Sequence, residues 1–189
     1  MKKLSLFSVG LFCTILSYAQ GAHAELGLKG GVNIANYNDE VNTKGSRTGY
    51  FIGGLAHIHL TPTMAVQPEV VYSAQGAEYS TGTDKLDYIN IPVLFQYMFN
   101  GGFRLETGPQ LGLLTSAKFE NNNGVETSIK SNVKSNDVSW AFGAGYLTPS
   151  GLGIDARYNL GISNIRKPND HEIQNRVWQL GVFYQFRHY

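Results

Sequence analysis

The sequence predicts an all-β fold, an eight-stranded antiparallel up-and-down transmembrane β-barrel, and three observations predict it. Stretches of alternating apolar and polar residues recur after residue 25, each long enough to cross a bilayer at a tilt, which takes about 9–11 residues. The connections alternate between tight turns and long polar segments. The composition suits strands and turns, with 22 glycines and 12% aromatics in 189 residues.

Each stretch sets an apolar face against a polar one. In 26–34, Leu26, Leu28, Val32 and Ile34 oppose Lys29 and Asn33. In 48–60, Tyr50, Ile52, Ala56, Ile58 and Leu60 oppose Gly53, His57 and His59. In 64–75, Val66, Val70 and Tyr72 oppose Gln67, Glu69, Ser73 and Gln75. In 87–99, Ile89, Ile91, Val93, Phe95, Tyr97 and Phe99 oppose Asn90 and Gln96. In 103–115, Phe103, Leu105, Leu111 and Leu113 oppose Arg104, Glu106 and Gln110. In 138–147, Trp140, Phe142, Ala144 and Tyr146 oppose Ser139, Gly143 and Gly145. In 152–163, Ile154, Tyr158, Leu160 and Ile162 oppose Asp155, Arg157 and Asn159. In 175–186, Trp178, Leu180, Val182, Tyr184 and Phe186 oppose Gln179, Gly181 and Gln185.

Turn-forming residues mark short connections at 61–63, 100–102 and 148–151, whereas 36–47, 76–86, 117–137 and 164–174 are long and polar. Barrels of the outer membrane carry short periplasmic turns and long extracellular loops, so an even strand number places both termini on the periplasmic side.

Alternation alone also fits a soluble lipocalin-like carrier with its apolar face inward. Three features favour apolar-out. The polar face carries glycines that make room in a narrow tube (Gly27, Gly31, Gly53, Gly108, Gly112, Gly143, Gly145, Gly161 and Gly181). It also carries charges that can pair: Lys29, Glu69, Arg104, Glu106, Asp155 and Arg157. Aromatics near strand ends, Tyr37, Tyr50, Tyr88, Tyr97, Phe99, Phe103, Trp140, Tyr146, Tyr158, Trp178 and Tyr184, suit interfacial girdles, although Tyr88 falls on the polar side by strict alternation.

Lys2 and Lys3, an uncharged apolar run over 4–16 and the small residues of Ser17-Tyr18-Ala19 and Ala22-His23-Ala24 have the layout of a secretory signal, cleaved after Ala19 or Ala24. The expected division is a signal peptide over 1–24 and a barrel domain over 25–189. Removing 1–24 takes two lysines and no acid, so the formal charge moves from +1 (15 bases, 14 acids) to −1 (13 bases, 14 acids). A near-neutral chain gives no electrostatic case for nucleic acid. Cys13 leaves with the signal, so no disulfide is expected.

The segments Gly27-Leu28-Lys29-Gly30-Gly31-Val32-Asn33, Val66-Gln67-Pro68-Glu69-Val70-Val71-Tyr72-Ser73, Leu86-Asp87-Tyr88-Ile89-Asn90-Ile91-Pro92-Val93-Leu94, Gly108-Pro109-Gln110-Leu111-Gly112 and Arg157-Tyr158-Asn159-Leu160-Gly161 resemble the porin-like outer-membrane β-barrel family of Bacteroidetes, which includes the PorT-like proteins. The resemblance covers nearly all of the chain after the signal. It implies location in the bacterial outer membrane and no defined chemistry. Such barrels usually finish on an aromatic read during insertion. Phe186 fits the strand pattern and Arg187-His188-Tyr189 extends past it, so either Phe186 or Tyr189 fills that place.

His57 and His59 stand two apart on one strand and could share a metal, yet no third ligand completes the spacing, and they read as lumen filling. Lys29, Glu69, Arg104, Glu106, Asp155 and Arg157 read as a structural network of ion pairs, because the lumen of an eight-stranded barrel is filled by side chains. Arg104 is expected to neutralise Glu69 or Glu106. No catalytic, cofactor or metal residue is expected, since His171 in the last loop lacks a clear Ser partner.

The reading is an outer-membrane barrel with a filled lumen and a structural or interaction role. Its alternatives are a PorT-like accessory to protein secretion, a narrow channel, a lipid-modifying enzyme and the soluble carrier. The expected partners are outer-membrane lipid, the outer-membrane assembly machinery, and a protein or polysaccharide at the loops.

Overall fold

The computed structural model describes residues 24–38, 44–167 and 173–186, and in it nearly every residue outside the connections is in a strand. The strands are β1 Ala24–Asn38, β2 Gly45–His59, β3 Met64–Tyr79, β4 Gly82–Met98, β5 Phe103–Asn121, β6 Glu126–Ser128, β7 Asn136–Leu147, β8 Leu152–Gly161 and β9 Gln174–Phe186. Every neighbouring pair is antiparallel. β4 pairs with β5 and β1 pairs with β9, so eight strands close a ring, while the short β6 joins β5 alone above it. Closure satisfies every strand's backbone groups, which an apolar bilayer demands of any spanning sheet.

The faces are apolar-out. Ile52, Ile154 and Val182 are 62%, 60% and 56% exposed, whereas Lys29, Glu69 and Arg157 are 4%, 2% and 2% exposed. A soluble barrel would invert this, so the lipocalin-like alternative falls. The exposed apolar residues form a belt from the short turns up to about Ile34, Tyr50, Ile89, Leu113, Val138, Ile162 and Trp178. The Trp140 indole N–H, on this lipid-facing surface, donates to Thr107 Oγ1 at 2.8 Å and so enters the bilayer satisfied. At the short-turn end, Gly102 and Gly151 adopt φ of +94° and +89°, conformations that side chains disfavour.

Above the belt the polarity of the two faces inverts. On β4, Ile89, Ile91 and Val93 point out and Asn90 points in, but one turn higher Lys85 and Asp87 point out while Leu86 and Tyr88 are buried inside. β1 and β5 change in the same way, at Ala35 with Tyr37 and at Leu114 with Ala117. An extra residue in β5 opposite Asp87 and Tyr88 adjusts its register there.

Two expectations are corrected. The 76–86 segment is not a long loop, because β3 and β4 continue as a paired hairpin to Tyr79 and Gly82. Its outward residues no longer meet lipid, so the apolar half of the alternation is missing although the ladder persists. Tyr37 and Tyr88 do not join the girdle. Both are buried in an apolar cluster inside the extracellular end, with Leu86, Leu114, Val133, Ile165 and Ile173. The other girdle aromatics face outward, Tyr50, Tyr97, Phe99, Phe103, Trp140, Tyr146, Trp178 and Tyr184 being exposed. Residues 1–23 of the expected signal, His171 and Tyr189 lie outside the described residues.

Candidate functional site in the barrel lumen

At mid-height the lumen is spanned by a cationic side chain gripped on several sides. Arg157, inward on β8, donates through Nη1 and Nη2 to Glu69 Oε2 and Oε1 of β3, both at 2.9 Å. Its Nε donates to Glu106 Oε1 of β5 at 2.8 Å. Lys29 of β1 donates to Asp155 Oδ2 at 2.9 Å and to Glu69 Oε1 at 3.3 Å. The amides of Gln67 and Gln96 complete the shell, on Glu69 at 2.8 Å and on Glu106 at 2.9 Å. Five of the six charged residues singled out in the sequence therefore converge, tying four strands across the tube.

The sixth does not join them. Arg157, not Arg104, carries the guanidinium that Glu69 and Glu106 share, which corrects the expected pairing. Arg104 lies nearer the periplasmic end, where its Nη2 donates to Gln185 Oε1 at 3.4 Å and its guanidinium stacks 5.4 Å from the centre of the Phe183 ring. Alternation places a side chain inside the tube, but its height along the axis follows from strand stagger, which the sequence pattern does not carry.

Glycines supply the space. A Cβ at Gly143 would lie 2.7 Å from Glu106 Oε1, and one at Gly181 would lie 2.6 Å from Asp155 Oδ1. Gly31 and Gly181 also accommodate Phe51, whose ring sits 5.5 Å from Lys29 Nζ, and Gly153 accommodates Phe183. Sequence reasoning missed Phe51 and Phe183 as lumen residues. The available signal was their parity, since each stands between outward apolar neighbours and across from glycine.

Above this layer, amides and hydroxyls continue the filling. Asn33 donates to Ser73, Gln179 donates to Asn33, and Asn159 donates to Gln179, each at 2.9 Å. His57 and His59 lie below it with ring centroids 4.6 Å apart, and His57 Nδ1 is 3.3 Å from Gln67 Oε1. Among the described residues no group of three His, Cys, Asp or Glu side chains is placed to hold a metal ion.

At the extracellular mouth two connections meet over the apolar cluster. Lys134 N–H donates to Ile165 C=O at 2.7 Å, Lys167 N–H donates to Asn132 C=O at 2.9 Å, and Val133 bridges Arg166. Asp84, above the belt, lies 3.5 Å from Arg166 and accepts from the Tyr37 hydroxyl at 3.4 Å. Burial raises the pKa of its carboxyl above the ordinary value, outweighing the opposing pull of Arg166, Tyr37 and Tyr79. The folded value exceeds the unfolded one, so ionisation of Asp84 disfavours folding once the pH rises above its ordinary value of 3.8. Asp84→Asn should therefore raise stability at pH 7, with the difference vanishing below 3.8. Urea midpoints at the two pH values measure this, and a less stable variant at pH 7 would contradict it.

Residues 18–167 match the family model described as outer membrane protein beta-barrel domain. Among solved structures, Neisserial surface protein A superposes with a TM-score of 0.60 at 16% identity, covering 88% of this chain and 100% of that one. Ail, the attachment invasion locus protein of Yersinia pestis, superposes with a TM-score of 0.54 at 19% identity, covering 87% of this chain and 99% of that one. The family match stands at the level of the general barrel domain, coarser than the Bacteroidetes branch or the PorT-like proteins. No curated protein matches the chain.

Proposed function

Since the chain belongs to the outer membrane protein beta-barrel domain family and so resides in the bacterial outer membrane, we propose that it is a sealed barrel with a structural or interaction role rather than a conduit. The observation that carries this reading is the bracing of Arg157 between Glu69, Glu106 and Asp155 across the lumen. The apolar cluster beneath the joined connections supports a second seal. In this reading Lys29, Glu69, Glu106, Asp155 and Arg157 are structural residues, and Arg104 fills the lumen below them. Residues 1–24 direct export, and assembly machinery inserts the 25–189 barrel.

With the interior occupied, contact with partners falls to the outer surface. The β3–β4 and β5–β6 hairpins rise above the belt, and a hollow there of about 360 Å³ includes Thr115, Ser116, Lys118, Glu126, Ser128 and Lys130, with Lys118 paired to Glu126 at 2.7 Å. Its ammonium, carboxylate and hydroxyl groups suit a polysaccharide or a polar protein surface. Ail, which shares the fold at low identity, has been crystallised with the heparin analogue sucrose octasulfate.

The test is conductance of the purified, folded protein in planar bilayers. A sealed lumen should give no resolvable single-channel steps in molar salt. Reproducible steps that persist under applied voltage would overturn the reading and make the narrow channel the leading one.

A further inference from the structure

The outer wall of the barrel is not evenly convex. On its lipid-facing surface, toward the short-turn end, lies a hollow of about 560 Å³ bounded by Leu60, Met64, Phe95, Leu105, Thr107 and Phe142. That volume falls within the roughly 300–1,000 Å³ of pockets that enclose small molecules. Its shape follows from one row of the sheet. Phe95 of β4, Thr107 of β5 and Phe142 of β7 are register partners, so a small side chain stands between two exposed rings. In the row below, Tyr97 is cross-strand from both Leu105 and Met64. Leu60 and Met64 flank the β2–β3 turn and close that side.

The chemistry of the hollow selects an apolar occupant. The Thr107 hydroxyl, at its floor, is already engaged twice. It accepts from the Trp140 indole N–H at 2.8 Å and donates to Ala141 C=O at 3.0 Å. The side chains of Leu60, Met64, Phe95, Leu105 and Phe142 carry no hydrogen-bond donor. The hollow is continuous with the apolar belt, where hydrocarbon and not water meets the protein. Among apolar groups inside a bilayer no hydrophobic force operates, and van der Waals packing decides which contacts persist. A hydrocarbon chain on the convex wall packs against protein on one side. Here it packs against a floor and two ring walls.

We propose that this hollow seats one acyl chain of a phospholipid from the periplasmic leaflet, held in place while the surrounding lipid exchanges. The leaflet follows from the position of Leu60, Met64 and Tyr97 beside the short turns. The inference rests on the membrane placement of the belt, which a boiling-dependent gel shift of the inserted protein checks separately.

The mature chain is inserted into nanodiscs of phosphatidylethanolamine and phosphatidylglycerol and released in a native mass spectrometer. One phospholipid should stay with each barrel under activation that strips the rest. Thr107→Leu, which fills the floor, should lower the retained fraction about tenfold. Thr107→Val, which keeps the size and loses the hydroxyl, should retain the lipid. If Thr107→Leu does not insert, Phe142→Ala, which removes one wall, replaces it.

A phospholipid with a photoactivatable diazirine at mid-chain then locates the chain. Adducts should concentrate on Met64, Leu105 and Phe142, and should fall to the level of Leu180 and Val182 on β9 in Thr107→Leu. Adducts spread evenly around the belt in the unsubstituted protein, or equal lipid retention by the leucine and valine variants, would overturn the proposal. Barrels released as dimers without lipid would also overturn it and give the hollow to a second copy of the chain.

Discussion

Arg157→Ala is expected to destabilise the barrel by about 3–5 kcal/mol, the range for breaking a buried ion pair from one side. The reason is what remains behind. Glu69, Glu106 and Asp155 would face Lys29 as the remaining cation of that layer, with the guanidinium removed from 2.8–2.9 Å of two of them. Urea titration of the folded protein in lipid vesicles, followed by tryptophan fluorescence, measures the change. A companion variant separates charge from packing. Replacing Arg157, Glu69 and Glu106 together by leucine removes the pairing and the stranded charge at once, and should cost less than Arg157→Ala alone. A triple variant less stable than the single one would mean that the network contributes net stability beyond the charges it neutralises.

Val182→Arg is the second large effect, with a cost of about 2–4 kcal/mol for a cation on the lipid face near the bilayer midplane. Val182 is central in the outward face of β9, between Gly30 of β1 and Ile154 of β8, and is 56% exposed. In water such exposure would make the substitution nearly harmless, so the loss belongs to the bilayer. Leu152→Arg, at the end of β8 beside the short turn, is exposed to a similar degree at 52% but lies near the interface, where the cost falls to about 0–1 kcal/mol. Equal stability of the two variants in vesicles would contradict the placement of the belt. Both measurements use the unfolding transition employed for Arg157→Ala.

The lumen site was legible to different depths. That Lys29, Glu69, Glu106, Asp155 and Arg157 point inward follows from two-residue alternation, which needs no coordinates. Which of them touch does not follow. Glu69 and Arg157 lie 88 residues apart and meet because β3 and β8 face each other across the ring. Arg104 shares their parity and comes from the same strand as Glu106, yet it lies one layer lower beside Gln185.

The sequence by itself determined the strand-crossed membrane fold, the apolar-out faces and the charged interior, because contact with lipid on one side and a narrow lumen on the other imposes period-two patterning on each strand separately. It lost the hairpin over 76–86 and misplaced Tyr37 and Tyr88 where lipid contact stops. There water replaces lipid on the outer side, so the outward face need no longer be apolar, and the extracellular end builds an inward apolar core instead. Ring closure, strand stagger and the extra residue in β5 set the height of every inward side chain. These are relations between strands, so only the tertiary structure could decide that Arg157 and not Arg104 braces the lumen.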